Sequence, residues 1–136
     1  MSYRFRRKPG VKYNNTKVTC DGHTFDSKHE YNRYCELKLL EKGNVISNLE
    51  LQKKFVLIPA QYAIEERYGK NGKRLKDGKI LLEREVAYFA DFCYTLNKTG
   101  ETIVEDAKSQ ITREDKTYIL KRKMLLYFHG IRVVEI

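Results

Sequence analysis

Apolar and polar positions change their period several times along this chain, and each change marks an element. Lys17–Phe25 alternates around Asp21-Gly22, a dipeptide that two-residue hairpin turns favour, and predicts a β-hairpin. From Tyr31 the spacing lengthens: Tyr31, Tyr34, Cys35, Leu37 and Leu40 recur at helical intervals. Ser27 and Glu30 form a capping box ahead of that stripe, and Gly43 is placed to stop the helix. Val45–Gln52 and Phe55–Ile64 return to β-forming residues, with Pro59 favouring an edge or a bulge. Residues 65–79 hold three glycines and six basic residues without an apolar period, and predict a long hairpin tip.

Leu81–Leu96 then predicts a long strand, Asn97–Gly100 a turn, and Glu101–Lys108 a shorter strand antiparallel to it. Beyond Ile111 the period is helical again through Phe128, carried by Tyr118, Leu120, Met124, Leu125 and Phe128, and Gly130 ends it. Ile131–Ile136 is a closing β-rich run. The order of hairpin, helix, antiparallel strands, helix and strand predicts an α/β (α+β) fold with a central mixed sheet flanked by helices.

A length of 136 residues suits one compact domain, so the expectation is a flexible basic arm over 1–16 and a single domain over 17–136 with the basic hairpin tip at 65–79. No apolar run approaches the roughly 20 residues that cross a bilayer. A soluble cytoplasmic protein without membrane association is expected. The three cysteines, Cys20, Cys35 and Cys93, are far apart and lack metal-site spacing to any histidine, which favours reduced thiols over zinc or disulfides.

Charge adds a partner. Lys and Arg outnumber Asp and Glu by 27 to 18, a net charge of +9. Arg4, Arg6, Arg7, Lys8, Lys12 and Lys17 stand in the first 20 residues with no acid among them. A basic arm before a nearly balanced domain suits a polyanion, most simply nucleic acid, although a solubilising tail has the same composition. Tyr3, Phe5 and Tyr13 interleave with the arm's cations as stacking residues do. Lys73 and Arg74 at the tip, and Lys116, Lys121 and Lys123 on or beside the second helix, are the other candidate phosphate contacts.

The chemistry centres on Asp91, Asp106 and Lys108. Strand alternation sends Asp106 and Lys108 to one face, and a hairpin turning at 97–100 brings Asp91 to the Asp106 end. The flanking Phe89, Ala90, Phe92, Ile103, Val104 and Ala107 predict apolar surroundings, where two carboxylates and an ammonium are costly unless paired or metal-bound. A buried ion pair is the bland reading. The functional reading is a Mg2+ site, since that ion is typically held by one or two carboxylates, waters and substrate phosphates. Lys108 would then orient water or stabilise phosphate charge.

The segments FADFCY and IVEDAKS together resemble the signature of the PD-(D/E)XK nuclease superfamily, an acid on one strand followed by (D/E)-x-K on the next. FDSKHEYNRYCELKLLEKG, NLELQKKFVL and YILKRKMLLYF extend the likeness to a small phage and prophage nuclease family similar to Holliday-junction resolvases. Ala90 stands where the generic motif has Pro, and Asp106 where many members have Glu. The resemblance implies a restriction-endonuclease-like αβββαβ core and Mg2+-dependent hydrolysis of DNA, with Mn2+ as a substitute ion. It implies metal ligation by Asp91, Asp106, the Ala107 backbone carbonyl and Glu30, with Lys108 catalytic. A helix cap explains Glu30 equally well. Gln52 is a weaker candidate for a supporting role, with a solvent-facing strand glutamine the favoured reading. Branched DNA and a homodimer are compatible partners. The rivals are a non-catalytic nucleic-acid-binding module on the same fold and a structural protein with an ion-paired core.

Overall fold

The computed structural model describes residues 16–136. Arg4, Arg6, Arg7, Lys8 and the aromatic residues of the arm lie outside the described residues. The chain divides into two compact units, the first ending at Glu36 and the second running Leu37–Ile136.

In the first unit, β1 (Val18–Cys20) and β2 (His23–Phe25) form the expected antiparallel hairpin, with Val18 opposite Phe25. Asp21 and Gly22 both take positive φ, 52° and 76°, as a tight primed turn requires. Helix α1 (Lys28–Lys42) begins here and crosses the division. Its start is the capping box: the Glu30 N–H donates to Ser27 Oγ at 3.2 Å, while Glu30 Oε2 accepts from the Asp26 N–H at 3.3 Å. Tyr34 packs on Phe25 with ring centroids 4.9 Å apart, and its hydroxyl donates to Asp21 at 3.0 Å.

The second unit holds a four-stranded mixed sheet in the order β3 (Ile46–Ile58), β6 (Val86–Leu96), β7 (Thr102–Asp106), β8 (Val134–Glu135), together with the two-stranded ribbon of β4 (Gln61–Glu65) and β5 (Gly78–Glu83). The fold is α+β, as the periodicity predicts. β3–β6 and β6–β7 are antiparallel and β7–β8 parallel. Two helices separate β7 from β8: the short α2 (Gln110–Arg113) and α3 (Lys116–His129). Asp115 caps α3 by accepting from the Tyr118 N–H at 2.8 Å, and Gly130, at φ 66°, closes it in the left-handed conformation. α3 lies against β3 and β6, burying Tyr118 and Leu125 beside Leu57, Tyr88, Ala90, Cys93 and Val104.

Five expected boundaries move. The helix expected to run from beyond Ile111 to Phe128 is broken at Glu114-Asp115 into α2 and α3, and the strand Phe55–Ile64 is divided at Pro59-Ala60 between β3 and β4. The strand expected to pause after Gln52 runs through Lys53 and Lys54 to Ile58, because β3 is a sheet edge where Lys53 pairs with Glu50 and Lys54 with Glu85. Leu81–Leu96 is two strands, since the chain leaves the ribbon and enters the main sheet at Arg84-Glu85. The closing strand shrinks to Val134–Glu135, the only part with a β7 partner. Among the described residues no helix is long and apolar enough to cross a membrane.

Candidate functional site

Registers on the two long strands decide where the site forms. In β6–β7 the last bridged pair is Phe92 with Glu105, so the next step sets Asp91 opposite Asp106. In β3–β6 the bridges pass from Leu51–Phe92 to Lys53–Ala90, which sets Gln52 opposite Asp91. In β7–β8 Asp106 is paired with Glu135. Gln52, Asp91, Asp106 and Glu135 therefore stand in one row across the sheet.

The ladder is irregular at this row. Gln52 has φ 51°, a left-handed conformation that costs a non-glycine residue about 1 kcal/mol or more. Glu50 and Lys53, which strict alternation would send to opposite faces, are joined in an ion pair across the kink. Gln52, opposite Asp91 in the ladder, donates from Nε2 to Asp91 Oδ1 at 3.0 Å.

Asp91 is buried and has both oxygens occupied, the second by the Ala107 N–H at 2.9 Å. Its own N–H donates to Asp106 Oδ1 at 3.0 Å. Asp106 is fully buried, and its Oδ2 has no hydrogen-bond partner. Burial accordingly lifts its pKa to about 6, against the opposing pull of Lys108 and of the Asp91 amide, and the Glu135 charge adds to the rise. Lys108 lies just past the end of β7, and its Nζ is 3.8 Å from Asp106 Oδ1 and 4.0 Å from Asp91 Oδ2. The three residues expected to meet do meet.

Behind Lys108 stands Tyr118, with the ammonium 5.7 Å from the ring centre. The Tyr118 hydroxyl donates to Glu135 Oε1 at 2.8 Å, and Arg122 Nη1 reaches the same oxygen at 2.8 Å. The Tyr118 bond, then Arg122 and Arg113, hold the Glu135 carboxyl below its ordinary value, while burial and the same bond raise the Tyr118 phenol. Glu135 and the Tyr118 hydroxyl escaped the sequence reading, because nothing in IRVVEI signals which residue meets β7. Gln52 is exposed, as expected of a solvent-facing strand glutamine, and its side chain also bonds Asp91.

Other candidates scatter. Lys121 lines a cleft with Lys108, Phe89, Thr112 and Asp115. Lys123 lines a separate cleft with Arg122, Arg132 and Glu135, and Lys116 is exposed at the first turn of α3. Arg74 is engaged by Asp77 at 3.4 Å and Glu66 at 3.7 Å within the ribbon's connection, where the Lys73 carbonyl accepts from the Gly69 N–H. Glu30 belongs to the first unit, where it is buried and serves the cap of α1.

Among the described residues no group of three or more His, Cys, Asp or Glu side chains is arranged to hold a metal ion. The set does suit a hard divalent ion that takes most of its ligands from water and substrate. Two adjacent carboxylates converge, and a buried Asp106 oxygen lacks the donor or cation that its charge calls for.

The chain matches, over residues 10–133, the family described as "Protein of unknown function (DUF1064)", and it belongs to that family. No curated protein and no solved structure matches it.

Proposed function

We propose that this protein is a Mg2+-dependent DNA endonuclease with a site of the PD-(D/E)XK kind. The observation that carries the reading is the convergence of Asp91, Asp106 and Lys108, with Asp106 fully buried and one of its oxygens unpartnered. Asp91 and Asp106 would hold Mg2+ or Mn2+, and the resemblance adds the Ala107 carbonyl. When bound, such an ion lowers the pKa of a coordinated water and offsets charge on the scissile phosphate.

The protein's own groups do the positioning. Gln52 and the Ala107 N–H fix the two oxygens of Asp91, and the Asp91 N–H fixes one oxygen of Asp106. Lys108, braced against Tyr118, places its ammonium beside both carboxylates, where it can orient water and stabilise the negative charge that grows on phosphate oxygens. Lys121, in the cleft beside Lys108, is the best placed of the candidate phosphate contacts. Lys116, Lys123, Lys73 and the arginines of the N-terminal segment would add backbone contacts farther out. A branched substrate is an analogy with resolvases and rests on that alone.

The test is a cleavage panel of single-stranded, duplex, flapped and four-way DNA, run in Mg2+, in Mn2+ and in chelator. Cleavage of at least one substrate with either ion, abolished by chelator and by Asp106→Asn, is expected. A wild-type protein that cuts none of them overturns the reading.

A further inference from the structure

Beside the site the sheet is open. β7 follows β6 only as far as the Phe92–Glu105 pair. Among the described residues, positions 86–90 of β6 therefore have β3 on one side and no strand on the other. Backbone N–H and C=O groups turned to that side have no ladder to join. Two observations identify the residues that turn there. The Leu96 N–H donates to the Glu101 carbonyl, towards β7, and strict alternation from Leu96 would aim the Asp91 N–H at β3. It donates instead to Asp106 Oδ1, so the pleat reverses at the kink, and Phe89 and Ala87 follow Asp91 towards the open side. Opposite Ala87, the Val56 carbonyl accepts from His129 Nε2 at 2.7 Å, as expected of a pair whose backbone groups point away from each other. The β3–β6 register is continuous from Glu50–Cys93 to Val56–Ala87, and its next shift falls after Val56.

A cleft of about 310 Å3 runs along this open stretch. Ala87 and Phe89 line it from the strand, and Lys108, Thr112, Thr117 and Lys121 line it from the segment that follows β7. The acid on its wall, Asp115, has one oxygen engaged by the Tyr118 N–H at 2.8 Å. A strand residue offers an N–H and a C=O side by side, and the edge of a nucleobase offers an acceptor and a donor side by side. Two ammonium groups and two hydroxyls on the facing wall suit phosphate oxygens. A base within a duplex has its pairing edge occupied, so only an unpaired base can use this strand. A peptide strand is the poorer occupant, since the open stretch is shorter than a usual strand and the facing wall is cationic.

From this arrangement we infer that the cleft binds an unpaired nucleotide next to the scissile phosphate. Its base edge bonds the backbone of Ala87 and Phe89, and Lys121 holds its phosphate. The inference rests on the nuclease reading for the scissile phosphate at Lys108, and it adds the class of substrate: DNA that is single-stranded or splayed at the cut.

The experiment measures binding by fluorescence anisotropy on the full chain in chelator, where no cleavage intervenes. Two labelled single strands of equal length are compared, one bearing bases and one abasic throughout, with wild type, Thr117→Leu and Lys121→Ala. Wild type should bind the base-bearing strand about tenfold more tightly than the abasic one, as two added hydrogen bonds would give. Thr117→Leu narrows the cleft without adding a ring or a charge, and should cut that preference to about twofold or less. Lys121→Ala should weaken binding to both strands and reduce the salt slope by about 0.7. Circular dichroism on each variant checks that the fold is kept. Equal binding of the two strands by wild type, a preference that survives Thr117→Leu, or an unchanged salt slope in Lys121→Ala would each overturn the inference. The same proteins are then given single-stranded, flapped and duplex DNA in Mn2+. Cleavage without any preference for base-bearing strands removes the inference and leaves the nuclease standing. A base preference that Thr117→Leu abolishes, without cleavage of any DNA, supports the nucleotide cleft and removes the nuclease.

Discussion

Asp106 concentrates the tension of the site. A carboxyl that is fully buried, with one oxygen unpartnered and a pKa lifted to about 6, favours its protonated form on folding. The folded state therefore binds this proton more tightly than the unfolded chain, whose Asp titrates near 3.9. Without metal, stability should be highest below about pH 4 as far as this residue is concerned, and be lost as pH rises through about 6. Asp106→Asn should then melt at higher urea than wild type at pH 8 in chelator, by about 2 kcal/mol, with the gap closing towards pH 4. Added Mn2+ should stabilise wild type and leave Asp106→Asn unmoved. Gln52 makes a second case at this scale. Its side chain supplies one bond to Asp91, so Gln52→Ala should raise the Mn2+ concentration needed for half-maximal cleavage by about 10–100-fold, with little change in stability. The Asp91–Asp106–Lys108 set could be read from alternation and turn position, because those rules are local. Gln52 was legible only as a weaker supporting candidate, because its place opposite Asp91 depends on the β3–β6 register, which no local pattern fixes.

Among the elements, α3 and β3 show where local pattern suffices and where it fails. α3 is announced by its own residues in its stripe, which buries Tyr118 and Leu125, and in its end at Gly130, whereas its start, capped by Asp115, lies later than the expected one after Ile111. Asp115→Ala should cost about 1 kcal/mol of stability, measured by urea unfolding, and should leave metal affinity unchanged. Tyr118 joins this helix to the site. Tyr118→Phe keeps the ring under Lys108 while removing the bond that lowers the Glu135 carboxyl, so acid unfolding should begin at higher pH in this variant. The sign follows because a carboxyl held low in the folded state adds stability above its unfolded value and loses it as pH falls. The β elements were harder to delimit. Lys53 and Lys54 interrupt an apolar run without interrupting β3, because an edge strand tolerates charges that an interior one does not. The break at Arg84-Glu85 is invisible in composition, since it reflects which partner each half of Leu81–Leu96 finds, β4 or β3.

In the molecule as a whole, a basic chain carries a small acidic site: a net charge of +9 accompanies two carboxylates and a lysine at the row where the sheet is irregular. In the proposed nuclease, long-range attraction to DNA and local chemistry would rest on different residues and could be separated by mutation. The mixed sheet itself was foreseeable from the order of periods, whereas the parallel partner of β7 was not, because only tertiary pairing selects Val134–Glu135 from the closing segment. The central claim is that Asp91, Asp106 and Lys108 cut phosphodiester bonds. The most direct measurement is the single-turnover cleavage rate in Mn2+ of labelled single-stranded, duplex, flapped and four-way DNA by wild type and Lys108→Met, with binding followed by anisotropy on the same samples. DNA binding within a few-fold in both proteins is expected, with cleavage of at least one substrate by wild type and a rate about 100-fold or more lower in the variant. Equal cleavage by both proteins, or binding by wild type without any cleavage, would contradict it.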